Sequence, residues 1–307
     1  MINRTVIRSK VLQTLYSAFR KENRDLKLAE SELSLSLQKS YDLYFYLLLL
    51  IPHLTHLEQK RLDLRKHKFL ATPEELNPNT RFIDNRLSAQ LLNNEHLQSF
   101  ANQKGWFWTD EPVFTKKLLD RIVSSDHYRQ YLLSPDNYES DKDFWRRSFK
   151  EFIYNNQALD DLLEDTCIYW NDDVAIIETF VLKTIKQLSE TDTATRELLP
   201  MFKDEEDREF AFTLLRQSMQ MGEETDRRIS KHIENWDFER IADMDLYVMQ
   251  MAITELLTFP NIPLNVTLNE YIDLAKIFST PKSAIFINGV LDAVVEELKA
   301  ENRLFKQ

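Results

Sequence analysis

Three glycines, Gly105, Gly222 and Gly289, are all that this chain of 307 residues contains. An average chain of that length carries roughly 21. Tight β-hairpin turns need backbone at positive φ, which glycine adopts without steric cost. A chain this poor in glycine has few ways to reverse strands, and the expected fold class is all-α. The wide spacing of the three glycines also excludes a G-x-G-x-x-G turn and a Walker A loop, so nucleotide sites of those two kinds are ruled out.

Helical periodicity supports the same reading. Ile7, Val11, Leu12 and Leu15 form one apolar face, with Arg4, Arg8 and Lys10 falling largely away from it. Leu26–Leu37 and Tyr41–Leu57 read as two further helices, the second bent or broken near Pro52. Thr72-Pro73-Glu74-Glu75 is a helix start, with a threonine cap, proline in the first turn and acids beside the helix dipole. Asp204-Glu205-Glu206-Asp207 opens a long helix that runs to about Asn235. Helices at 241–259, 265–278 and 283–298 complete the set, and no run of alternating strands stands out.

The net charge is −11, unevenly spread. Residues 1–60 hold nine basic and six acidic side chains, while residues 206–307 hold 11 and 18. Phosphate attraction is a summed electrostatic effect, so a nucleic-acid site on such a chain needs a local basic patch or a partner, and the N-terminus is where to look. A single cysteine, Cys167, excludes an intramolecular disulfide and a Cys-x-x-Cys zinc site, and fits a reducing, cytoplasmic compartment. The longest apolar run, Leu43–Ile51, is nine residues, far below what a bilayer span needs. The acid-free first 21 residues have the composition of a transit peptide, but they fit a motif better.

The C-terminal third carries the most specific pattern. Pro263-Leu264-Asn265-Val266-Thr267-Leu268-Asn269-Glu270 leads into Tyr271-Ile272-Asp273-Leu274-Ala275-Lys276-Ile277-Phe278, and Phe286-Ile287-Asn288-Gly289-Val290-Leu291-Asp292 follows. In order and spacing this resembles the transcription antitermination factor NusB family, with its P-x-x-V-x-[IL]-N-E-x-[VI]-x-L-A-K-x-F and F-[IV]-N-G-[VI]-L-D segments. Met251–Leu256 and Asp226–Trp236 also fit, and Arg8–Tyr16 is similar to the family's R-x-x-A-x-Q-x-L-Y first helix. The resemblance covers roughly residues 1–58 and 205–307. It implies a NusB-like double helical bundle split by a helical insertion at 59–204.

The resemblance also implies a function. Members bind the boxA element of ribosomal RNA leaders together with the small-subunit ribosomal protein that doubles as NusE, and so help assemble an RNA polymerase antitermination complex. Carried over here, Arg4, Arg8, Lys10, Lys282, Phe286 and Asn288 are the expected RNA-binding residues. Glu239 and Asp245, on an acidic exposed side, are the expected contacts of the protein partner. Thr280-Pro281 reads as cap and first residue of the last helix, whose free N–H groups favour phosphate, with Lys282 adding a full charge. If the first and last helices pack side by side, the four cations form one patch. Asn269 and Glu270 read as structural, Asn269 as a cap or buried hydrogen bonder and Glu270 as the partner of a helix end or arginine. Gly289 reads as a close helix contact. Family members also carry a denser N-terminal arginine run and an arginine where Gln250 stands.

Other chemistry is thin. His53 and His56 share a helix face but lack a clear third ligand, and no nucleophile–base spacing stands out, so neither a metal, a cofactor nor an enzyme is expected. Trp106-Phe107-Trp108 reads as core of the inserted segment, with an exposed platform for RNA or protein as the alternative. The alternative to RNA-binding antitermination is a helical protein–protein adaptor that kept the fold and lost RNA binding.

Overall fold

A computed structural model describes residues 2–21, 25–233 and 241–304. Among the described residues there are fifteen α-helices and a single parallel β-bridge, Ile2 with Phe202. No described helix is long and apolar enough to cross a membrane. By contact the chain divides into two compact units. One is split in sequence, Ile2–Leu37 with Phe202–Gln307; the other is central, Gln38–Met201.

α1 (Arg4–Arg20) is capped by Asn3, whose side chain accepts the Val6 N–H at 3.0 Å. α2 (Leu26–Lys66) is one helix of 41 residues rather than two, with Pro52 inside it. Proline removes one helical bond, but Leu47 to Ile51 and Leu54 are all buried around the gap, and that burial holds the helix through it. α2 contributes its residues up to Leu37 to the split unit and the rest to the central unit.

The central unit continues with α3 (Pro73–Leu76), closed by a reciprocal capping box between Thr72 and Glu75. α4 (Arg86–Asn93) and α5 (Glu95–Lys104) follow, then a tight turn at Phe107–Thr109. α6 (Pro112–Val123), α7 (Asp126–Leu133), α8 (Tyr138–Ser148), α9 (Gln157–Thr166) and α10 (Val174–Gln187) complete it. Its core is aromatic. Phe144 stacks on Tyr131 with ring centres 4.2 Å apart, and Phe82 meets Phe144 and Trp145. Buried Asp141 is satisfied by Arg81 at 3.0 Å, Arg86 at 3.1 Å and the Tyr131 hydroxyl at 2.9 Å.

The split unit resumes with α11 (Glu205–Gln220), capped by Asp204 accepting the Asp207 N–H at 3.0 Å. The long helix expected from here is interrupted. α12 (Gly222–Lys231) starts as a separate helix, with the Thr225 hydroxyl donating to the Met221 and Gly222 carbonyls. α13 (Asp243–Thr258), α14 (Leu264–Phe278) and α15 (Pro281–Ala300) follow. α13 is the central helix of this unit. It packs against α1, α11, α12, α14 and α15, and its residues 248–256 are all buried.

Candidate nucleic-acid interface

α13 is buried because its sequence is apolar on nearly every face, and Glu255 sits in that apolar run at 0% exposure. A buried carboxylate is tolerated only when paired and hydrogen-bonded. Arg8 of α1 supplies a bidentate pair, Nε to Oε2 and Nη2 to Oε1, both at 2.8 Å. The Thr267 hydroxyl donates to Oε1 at 2.8 Å and the Tyr271 hydroxyl to Oε2 at 3.0 Å, both from α14. Glu270 adds a second carboxylate at 3.2 Å from Arg8 Nη1.

Burial opposes the charge on Arg8, but the bonds to Glu255 and the field of the nearby anions outweigh it and hold the guanidinium above its ordinary range. Burial, reinforced by Glu255, pushes the Tyr271 hydroxyl well above its own. The guanidinium also lies 5.2 Å from the Phe210 ring centre and 5.9 Å from that of Tyr271. Arg8 therefore ties α1 to α13 and α14 and is turned inward.

This changes the expected patch. Arg8 is 2% and Lys10 1% exposed, so neither is presented to solvent. The physical reason is that α1 packs on both α11 and α13. Periodicity marked one apolar face, whereas two neighbours cover more of the helix than that face. Arg4 is partly exposed and is held by Glu206 at 2.6 Å and Asp207 at 2.8 Å. α15 packs on α12, α13 and α14, so the first and last helices are joined through α13.

At the start of α15 the expected local structure is present. Thr280 caps the helix by accepting the Ser283 N–H at 3.1 Å, and Pro281 occupies its first turn. Lys282 is exposed. Phe286 is half-buried, and Asn288, also half-buried, donates to Asp292 at 3.0 Å. Ile285, which the motif reading passed over, is 76% exposed one turn beyond Lys282. An isoleucine displaced from the 3.6-residue apolar stripe of Ala284, Ile287 and Leu291 was the available signal.

Three further expectations resolve differently, and a fourth is not reached. Asp245 is buried at 6% exposure in the first turn of α13, with its Oδ1 making no hydrogen bond among the described residues, so it does not lie on an exposed acidic side. Glu239 lies outside the described residues. Asn269 is exposed in the middle of α14 rather than buried or capping. Gly289 is exposed, and an added Cβ would meet nothing within 4 Å, so no close helix contact requires glycine there. Glu270 does pair with an arginine, Arg8. Glu255 was missed as that arginine's main partner, although a lone acid in the run Met249–Leu256 signals a buried ion pair.

Against known proteins, the NusB family model matches residues 175–296, from α10 to α15. The transcription antitermination protein NusB of Salinibacter ruber is 39% identical over 132 residues, which cover 41% of this chain and 82% of that protein. Its counterpart in Koribacter versatilis is 43% identical over 100 residues, 33% of this chain and 68% of that protein. The one from Chloroherpeton thalassium is 38% identical over 99 residues, 32% of this chain and 47% of its own length. No solved structure matches. With motif, helical architecture and relatives in agreement, this chain belongs to the NusB family.

Proposed function

We propose that this protein is a transcription antitermination factor that binds single-stranded, boxA-like leader RNA together with the small-subunit ribosomal protein acting as NusE. It works by assembly within an RNA polymerase complex in the cytoplasm, without catalysis or cofactor. The observation that carries the reading is the α15 N-terminus. Pro281 has no N–H and Thr280 takes those of Ser283 and Ala284, which leaves the Lys282 N–H, the positive end of the helix dipole and the exposed Lys282 side chain to suit phosphate, with exposed Ile285 and half-buried Phe286 alongside for an unstacked base. Arg4, on α1, is a second cation of the same unit, partly exposed and paired with Glu206 and Asp207. Arg8 and Lys10 act in this reading as the internal support of α1. The part of the central unit before α10 reads as an insertion into a NusB frame, since the family match begins at residue 175, within that unit.

Fluorescence anisotropy of a boxA-like RNA, with and without the ribosomal protein, tests this. Tighter binding with the partner is expected. Lys282→Ala should weaken binding and flatten the salt dependence by about 0.7 in the slope of log K against log salt, the share of one phosphate on a single strand. An unchanged slope and affinity would remove the α15 site. One observation favours a second reading, a protein–protein adaptor without RNA binding. Of the four expected cations, Arg8 and Lys10 are buried and Arg4 is held by two acids. The adaptor predicts retained binding of the ribosomal protein and no RNA binding at any salt.

A further inference from the structure

The central unit contains a cleft of about 490 Å³, within the range of small-ligand pockets. One wall is α2, where His53, His56 and Lys60 fall at i, i+3 and i+7 and so share a face. The turn after α5 also lines it, with Trp106 and Trp108. Trp108 is buried and fixed, its Nε1 donating to the Tyr46 carbonyl at 2.5 Å and its ring stacked near Phe114. Trp106 is 37% exposed and makes no ring contact among the described residues. Its backbone is held by the Thr109 N–H donating to the Trp106 carbonyl at 2.9 Å.

The charge of the cleft sets it apart from the rest of the chain. The protein has 50 acidic side chains, yet none lines the cleft. Lys60 is exposed and has no ion pair among the described residues. Burial, with His56 and Lys60 adding to it, lowers the His53 imidazole to about 4, so His53 is neutral near pH 7 and offers one donor and one acceptor nitrogen. A purely apolar ligand leaves Lys60 unused, and a bare phosphate leaves the indole unused. A flat heterocycle carrying a phosphate uses both.

We propose that this cleft binds a nucleotide, its base against the Trp106 indole and its phosphate at Lys60, with His53 reading the base edge. The proposal does not rest on the α15 site. The nucleotide is either a residue of a single RNA strand or a free mononucleotide, and the chemistry of recognition is the same for both.

Calorimetric titration of the full-length protein with uridine and adenosine monophosphates, and separately with a short oligouridylate, tests it. Saturable binding of at least one probe is expected, weakened about tenfold or more by Trp106→Leu, the share of one base–aromatic stack, and severalfold by Lys60→Gln. Binding of the oligomer alone assigns the cleft to an RNA strand, and binding of the mononucleotides assigns it to free nucleotide. Lys60 is exposed, so Lys60→Gln leaves folding intact and guards against a misfolded Trp106 variant. Absence of binding by every probe, or affinities unchanged in both variants, overturns the proposal. Failure of the α15 reading leaves binding that Trp106→Leu and Lys60→Gln weaken and Lys282→Ala does not; failure here leaves only binding that Lys282→Ala weakens.

Discussion

At the scale of single residues, two buried ionisable groups set the terms. Glu255 receives four hydrogen bonds, two of them from Arg8. Arg8→Ala leaves a carboxylate buried without its counter-charge and should cost about 3–5 kcal/mol in urea unfolding. Arg8→Lys keeps the charge but not the two-pronged geometry, and should fall between the alanine variant and wild type. Equal stability of the lysine variant and wild type would show that the fork is irrelevant. In the central unit, Glu178 is fully buried; burial pushes its carboxyl from 4.5 up to about 7, opposed by the Asn155 N–H at 3.1 Å and reinforced by Asp160. The folded protein thus holds a proton on Glu178 that the unfolded chain releases near 4.5. The stability linked to that proton is complete below 4.5 and is lost as pH rises through about 7. Glu178→Gln cannot ionise. Its stability relative to wild type should therefore rise by roughly 2 kcal/mol between pH 5 and pH 8. A difference that stays constant across that range would refute the assignment.

At the scale of elements, the helices of the split unit were legible where the signal is local. The Thr280 cap, the Asp204 cap and the stop before Pro260 are written in single side chains and were found within a few residues, whereas the end of α11 at Gln220 was not. Properties that depend on neighbours were not legible. α1 shows one apolar face, yet Arg8 and Lys10 are buried because α11 and α13 both pack on it. α2 contains Pro52, yet continues to Lys66 because the apolar run before the proline is buried in the central unit. Gly289 belongs to a motif, yet nothing crowds it. Glycine inside an exposed helix is less favourable than alanine by about 0.8–1 kcal/mol, so Gly289→Ala should stabilise the protein by about that much. Thr280→Ala should do the opposite, by about 1 kcal/mol, and should weaken RNA binding by fraying the turn that carries Lys282. A destabilising Gly289→Ala would mean that the glycine serves a bound partner or a contact outside the described residues.

At the scale of the whole molecule, the frame and the central segment have separate cores. The N-terminal residues up to Leu37 fold with those after Phe202, and the family motifs at the two ends of the sequence meet in that unit, through Arg8 with Glu255 and Glu270. The motif boundaries at 58 and 204 and the contact boundaries at 37 and 201 differ most within α2, because a helix shared by two units offers no turn, glycine or proline-rich linker to mark where one ends. Two cores predict two unfolding events. The tryptophans provide a way to see them separately, since Trp106, Trp108, Trp145 and Trp170 belong to the central unit and only Trp236 falls in the other part of the chain. Tryptophan fluorescence thus reports mainly the central unit, whereas far-ultraviolet circular dichroism reports the helices of both. In urea, Arg8→Ala should move part of the dichroism transition to lower denaturant and leave the fluorescence midpoint where it is in wild type. Glu178→Gln at pH 8 should raise the fluorescence midpoint and leave the remaining dichroism component unmoved. If either variant shifts both probes by the same amount, the units unfold as one cooperative body, and the central segment is then part of what stabilises the NusB frame.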